Sequence, residues 1–541
     1  MFNKSWLQGV VPREWRQATI VPIPKSDKKH VSSYRPIALT SHLSKLMERL
    51  VLARLNHVVA EKGLIPPEQV GFREGHSVED SIGRLVQVVQ DGWNLPKSRR
   101  ADPPEGTTAQ KYALVAFDFA RAYDTVDHRI LRLRLLEMEI PRHFVGWIWQ
   151  FLRDRRARVE LNGTQSGERI YRAGLPQGSV LSPTLFLLWS APLAGALQAA
   201  RGTTAFFYAD DTAVLCGGHN VETARSRAQK AADTLVHWAH VNKMHVAGEK
   251  TQLLVLSQRA RDADCEIRVA GQLVKAGPQL KLLGVTLDRL LHFGPHCRAL
   301  RERTRPRLRQ LKKLTGRSWG LEEKQLRTIA HGYIRGAMEH AAAAWLPATP
   351  PTHVELLERE MRAAARIITA CPLSTPAHAV MAEAGLEPVS ARRESLAARF
   401  LAKALALPPD DPLRTVAEAN PRSRLKGTNG WRTVGREMWS AAEVTGPIEP
   451  AVTHRPPPWT STEGVTWALG VGPLPLGAPP AVKRRAAELH LGALPQCATW
   501  IWTDGSADGG VENGGTGALV ARNRSSEPQQ AACAQATAQR W

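Results

Sequence analysis

The chain has 541 residues, enough for two to four domains with buried cores. Lys and Arg number 72 against 50 Asp and Glu, a formal charge of +22 and a pI of about 10.2, which suits a polyanionic partner and nucleic acid above all. Six scattered cysteines without a CxxC pair read as reduced thiols rather than a zinc site, and Met1–Trp6 lacks the apolar core of a signal peptide.

In chain order, Ile20–Lys25 (IVPIPK) and Tyr34–Leu39 (YRPIAL) are short apolar runs, each with one basic residue, and together suggest a hairpin. A Lys and an Arg presented this way, Lys25 and Arg35, are suitable phosphate donors. Helical periodicity over Leu43–Leu55 puts Leu43, Leu46, Met47 and Leu50 on one face, and the segment Gln69–Ser77 (QVGFREGHS) follows. Pro96–Gln110 reads as a polar loop. Lys111–Phe117 is an apolar strand ending at Asp118; a helix begins near Asp124–Asp127, where both aspartates suit capping. Phe144–Arg158 is an aromatic helix running into clustered arginines, a pattern that suits a nucleic-acid backbone groove or a solvated helix end. Asn162-Gly163 then marks a hairpin.

Gly174–Ser179 is an uncharged loop whose glycines permit close backbone approach to a ligand. Ser182 and Pro183 predict the start of a helix running to a C-cap at Arg201-Gly202. Its prolines and glutamines weigh against a membrane span. Next comes Thr204–Leu215, two apolar strand-like runs flanking Tyr208-Ala209-Asp210-Asp211. Adjacent carboxylates at the tip of an apolar hairpin call for a cation, and a hard divalent metal is the usual one. Beyond it lie an amphipathic helix over Val221–His240, the segment Gly248–Thr251, a strand over Gln252–Leu256 and a hairpin around Leu280–Val285. His292, His296 and Cys297 lie close in sequence, but no second ligand pair follows and packing is the favoured reading. Residues 296–405 are helical and cationic; residues 407–495 are rich in Pro and Gly and read as a connector. Strand pattern returns at Ala498–Asp504 and Gly517–Ala521.

Three of these stretches, FDFARAYDTV (117–126), GLPQGSVLSP (174–183) and YADD (208–211), resemble in order motifs A, B and C of reverse transcriptases. The spelling is similar to that of non-LTR (LINE-type) retrotransposons, with some likeness to I/ingi-like members. The likeness covers about residues 11–400 and, in the tail, the start of ribonuclease H over 499–522. It implies an α+β right-hand polymerase: fingers and an antiparallel-sheet palm in 1–295, a helical thumb in 296–405, a connector in 406–497 and an incomplete, inactive RNase H-like αβ segment in 498–541.

The implied activity is RNA-directed DNA synthesis from a DNA primer on an RNA template, using dNTPs and two Mg²⁺ ions, with Mn²⁺ able to substitute. The resemblance assigns metal binding and catalysis to Asp118, Asp210 and Asp211, with the carbonyl of Phe119 assisting. It assigns the triphosphate to Lys25 and Arg35, exclusion of a 2′-OH to Tyr123, and the nascent base pair to Gln177. Lys250 becomes the proton donor to pyrophosphate, Arg73 a template or nucleotide contact, and Asp504 the first metal ligand of an RNase H remnant. A nuclear location follows from the retrotransposon analogy alone; no membrane is implied, and no oligomeric state. A rival reading is a non-catalytic nucleic-acid-binding fragment of a decayed element.

Overall fold

The computed structural model describes residues 1–24, 34–98, 107–259, 262–316, 319–420 and 430–450, a few isolated positions, and the backbone of three strands in the tail. Its contacts divide into two units, Met1–Pro457 and Pro458–Trp541.

The first unit is built on a four-stranded antiparallel sheet with the order Thr203–Tyr208, Asp211–Gly218, Lys111–Phe117, Gln252–Leu256. Its strands are apolar almost without a break because both faces are covered. Ala113, Val115, Phe117, Ala205, Phe207, Val214 and Val255 face one core, with the helices His128–Glu137, Arg142–Leu152, Ser182–Ser190 and Val221–Val241. The alternate residues Tyr112, Leu114, Phe206, Ala213, Leu215 and Leu254 face a second core. That core is closed by the helix Val78–Asn94, the hairpin Gln279–Asp288 and the helical region from Gly294 onward. The period-2 alternation thus glues one layer to each side of the sheet.

A second sheet carries the N-terminal strands. Gln17–Pro24 pairs antiparallel with Tyr34–Thr40, as the sequence suggested, and also parallel with Arg155–Leu161. The Asn162-Gly163 turn is present, with both residues at positive φ (51° and 78°), as a type I′ turn requires.

Several expectations need correction. In the helix His42–Glu61 the buried stripe is Ser44, Met47, Glu48, Val51, Leu55 and Val59, while Leu43, Leu46 and Leu50 are about half exposed. Those leucines sit one position ahead of the buried stripe, about 100° round the helix, so only Met47 of the predicted face points inward. The helix after the GLPQGS loop stops at Ser190 and restarts at Pro192, where the missing N–H favours a first-turn position. Arg155, expected among surface arginines, is buried over the Phe151 ring (4.6 Å) and donates to the Phe151 carbonyl (3.1 Å).

The proposed connector is also partly wrong. Pro412–Glu418 and Trp431–Ala441 are helices of the first unit. Trp431 is fully buried against Phe400 and donates to the Gly83 carbonyl (2.9 Å); the buried Arg432 forks onto Asp91 (2.6 and 2.9 Å). Within that segment residues 421–424, 426–429, 451–478, 480–481, 483–484 and 486–497 lie outside the described residues.

In the second unit Trp500–Asp508 pairs antiparallel with Glu512–Ala521, which pairs with Gln529–Ala531. Asp504 lies opposite Gly517 in mid-strand rather than at a strand end. Among the described residues no helix is long and apolar enough to cross a membrane.

Candidate active site at the palm hairpin tip

The two central strands determine where the carboxylates meet. Phe117 pairs with Thr212, so one step further along the antiparallel register sets Asp118 across from Asp211, with Asp210 in the turn beside it. Strand ends far apart in sequence therefore place three carboxylates at one end of the two central strands. The turn is tight: Tyr208 pairs with Asp211, leaving Ala209 and Asp210 as its two central residues, with Ala209 at φ 56°. Positive φ at the first central position alone is the pattern of a type II′ turn, here without the usual glycine.

The carboxylates feel one another. Burial first, then the Asp118 charge, raises Asp210 above the ordinary carboxyl range, with Arg35 opposing. Burial, then Asp210 and Asp118, pushes Asp211 up to about 6. Among the described residues no three His, Cys, Asp or Glu side chains close into a ready-made cage. The donor set nevertheless fits a hard divalent cation, because mutually repelling carboxylates are relieved by one. Phe119 can add a backbone oxygen. The bonds Ala120 N–H to His245 O (2.9 Å) and Ala247 N–H to Asp118 O (2.8 Å) flank it, so the Phe119–Val246 bridge is a non-hydrogen-bonded position and the Phe119 carbonyl stays out of that ladder.

The raised Asp211 carboxyl has a consequence for stability without metal. A carboxyl whose pKa is higher folded than unfolded burdens the folded state above about pH 6 and not below about pH 4. Asp211→Asn should therefore raise thermal stability in chelator at pH 8, by about 1 kcal/mol once solvent screening of this exposed residue is allowed for. The gain should disappear by pH 4, which paired melting curves would show; an equal gain at both pH values would mean that it does not come from the carboxylate charge.

The surrounding predicted residues divide as follows. The Lys250 ammonium lies 3.5 Å from Asp118 Oδ2 and is largely exposed. Arg35 sits opposite Ile23, exposed, and its charge reaches Asp210. Lys25 lies outside the described residues. The Tyr123 ring stacks on Phe186 (4.7 Å, 15° between planes), and its buried hydroxyl has no hydrogen-bond partner among the described residues. Burial, then the nearby Asp210 charge, pushes that phenol well above its ordinary value. Gln177 donates to Asp124 Oδ1 (3.1 Å), and its carbonyl accepts from Ala38 N–H (2.7 Å) on the neighbouring strand.

Asp124 therefore serves the GLPQGS loop, and the cap of the helix His128–Glu137 comes from Asp127 alone, which accepts from Arg129 and Ile130 N–H. Arg73 is turned back into its own loop, donating to the Pro67 and Gln69 carbonyls. Asp504 belongs to the other unit, where only its backbone is described.

Two residues that sequence reasoning missed hold the site. Glu48, fully buried, accepts from Ser44 Oγ (3.0 Å), Ser179 Oγ (2.5 Å), Val180 N–H (2.7 Å) and Leu181 N–H (3.4 Å). It holds the Val180 and Leu181 N–H groups just ahead of the helix Ser182–Ser190, which has no side-chain cap; the Ser182 hydroxyl donates to the Pro176 carbonyl instead. Gln69 meets the YADD turn directly. A Glu inside an otherwise apolar helical stripe was the one available signal for the first.

Residues 23–287 match the family described as reverse transcriptase (RNA-dependent DNA polymerase). This stretch is a reverse transcriptase domain. The chain is 32% identical over 372 residues to a Drosophila melanogaster protein named "Probable RNA-directed DNA polymerase from transposon BS", covering 67% of this chain and 39% of that one. It is 30% identical over 319 residues to the RNA-directed DNA polymerase from mobile element jockey of the same organism, covering 58% of this chain and 33% of that one. The chain thus spans about two fifths or less of the length of these relatives. Among solved structures it is similar to apo telomerase from Candida tropicalis, at 9% identity and a TM-score of 0.39 over 82% of this chain and 70% of that one.

Proposed function

We propose that this chain is an RNA-directed DNA polymerase of a non-LTR retrotransposon, extending the 3′-OH of a DNA primer on an RNA template. The observation that carries the reading is the strand register that sets Asp118 against the Asp210-Asp211 turn inside a reverse transcriptase domain. Nucleotidyl transfer asks a protein mainly for placement and charge neutralisation. Asp118, Asp210, Asp211 and the Phe119 carbonyl would hold two Mg²⁺ ions, which supply the positive charge that stabilises the attacking 3′-oxygen and the leaving pyrophosphate.

The chain's own side chains do the rest. Arg35, together with Lys25, offers donors to the triphosphate. Lys250, already beside Asp118, is placed to give a proton to the departing pyrophosphate. The GLPQGS loop is stitched to motif A by Gly174 N–H to Val126 O (2.8 Å) and Leu175 N–H to Tyr123 O (2.7 Å), so Gln177 presents a fixed surface to the nascent base pair. The cationic helix Gly294–Lys312 suits phosphate contacts along the duplex. Nuclear action and the I/ingi-like placement belong to the same proposal.

Tyr123 is held flat on Phe186 next to Asp210, where a bulky ring can exclude a ribose 2′-OH. Tyr123→Val should narrow the preference for dNTP over rNTP by roughly 10- to 100-fold. Competing incorporation of dTTP and UTP opposite template A measures this, and an unchanged ratio would remove the gate assignment. The whole reading is tested by extension of a DNA primer on RNA, which chelator should stop and added Mg²⁺ should restore. Salt-sensitive binding of the duplex without any extension would favour the non-catalytic fragment instead.

A further inference from the structure

We propose that Gln69, backed by Gly71, is a positioning residue that sets the Asp210 turn in its metal-competent shape. Ala209 occupies φ 56°, a left-handed conformation that costs a non-glycine residue free energy and persists only where its surroundings impose it. One buried side chain imposes it. The Ala209 N–H donates to Gln69 Oε1 (2.9 Å), and Gln69 Nε2 donates to the Ala209 carbonyl (3.2 Å). The primary amide therefore satisfies both backbone groups of the residue that precedes Asp210. The amide is itself oriented, because Gly71 N–H also donates to Gln69 Oε1 (3.0 Å).

The backbone around Gln69 is anchored to the same hairpin. Val70 N–H donates to the Phe207 carbonyl (3.1 Å) and Phe207 N–H to the Glu68 carbonyl (3.3 Å), a short parallel bridge on the outer edge of the sheet. Gly71 is pressed onto the turn: a Cβ there would lie 2.4 Å from Ala209 N and 2.9 Å from the Tyr208 carbonyl carbon. None of the Gln69 hydrogen bonds goes to a carboxylate. The residue acts through Ala209, whose torsions aim Asp210 at Asp118.

Only a side chain with a donor and an acceptor on one planar group reaches both atoms, and the longer stem of Gln over Asn lets it cross from the neighbouring loop. Leu fills a similar volume without the fork. Gln69→Leu should therefore leave the hairpin buried but free the turn, and Gly71→Ala should displace the same turn by contact.

This inference rests on reading Asp118, Asp210 and Asp211 as the metal site, and the test separates the two. Mn²⁺ affinity is measured by electron paramagnetic resonance on the full chain, for the unaltered protein, Asp210→Asn, Gln69→Leu and Gly71→Ala, each checked for folding by near-UV circular dichroism. Asp210→Asn should abolish the tight site. Gln69→Leu and Gly71→Ala should weaken it roughly 10- to 100-fold, the range expected when a partner that orients metal ligands is removed. In extension assays both should lower kcat at fixed Mg²⁺ with little change in KM for dNTP or in template affinity, and excess Mg²⁺ should recover part of the loss. Loss of Mn²⁺ binding in Asp210→Asn with unchanged affinity in whichever of the other two variants folds overturns the role of Gln69 alone. Unchanged binding in Asp210→Asn removes the metal-site reading and this inference with it.

Discussion

Asp210→Asn is expected to abolish primer extension while leaving primer–template binding within about twofold of the unaltered protein. The side chain keeps its shape, so the turn and its clamp by Gln69 survive; what is lost is one of the negative charges facing Asp118. Metal-borne charge stabilisation in a phosphoryl transfer is worth several kcal/mol. At about 1.4 kcal/mol per tenfold in rate, that corresponds to a fall of at least about 10³. Duplex binding depends instead on the basic surface, which the substitution does not touch, so its salt dependence should be unchanged. Extension by this variant at more than a few per cent of the normal rate contradicts the assignment.

Glu48→Ala is expected to be strongly destabilising. Glu48 is fully buried and collects two hydroxyls and two backbone N–H groups at the start of a helix. A carboxylate suits a helix N-terminus, whose free N–H groups carry partial positive charge. Removing it strands the Ser179 hydroxyl and the Val180 N–H away from water, while Leu181 N–H keeps Ser179 Oγ (3.2 Å), and leaves a cavity besides. The cost should be about 3–5 kcal/mol, read as a lower denaturation midpoint in urea. Glu48→Gln, which keeps the volume and one oxygen, should cost less. Because the same bonds fix the loop that carries Gln177, the Ala variant should also lose extension activity at temperatures where it is still folded. A midpoint unchanged by Glu48→Ala would show that the loop is held by other means.

Most of the palm was legible because its signals are local. The YADD and Asn162-Gly163 hairpins, the strand ending at Asp118 and the helix from Val221 each follow from short-range pattern and turn chemistry. The contact between motif A and the YADD turn followed from the resemblance, and the register supplies its physical form. The clamps were not legible. Gln69 and Ala209 are 140 positions apart, and Glu48 and Ser179 are 131 apart; no periodicity marks a polar side chain that bonds backbone on a distant loop. The helices after residue 411 were hidden for another reason. Prolines around them gave the segment the composition of a linker, whereas the buried Trp431 and Arg432 tie it to Gly83 and Asp91. Long-range burial there overrides composition.

An RNA-directed polymerase centred on the YADD hairpin is tested most directly by single-nucleotide incorporation on four primer–template duplexes. These differ only in the first unpaired RNA base, and each is supplied with Mg²⁺ and each dNTP in turn. Every template should admit only its complementary dNTP, and Asp210→Asn should admit none. Incorporation that ignores the template base would contradict RNA-directed synthesis, and incorporation that persists in Asp210→Asn would contradict catalysis at this hairpin.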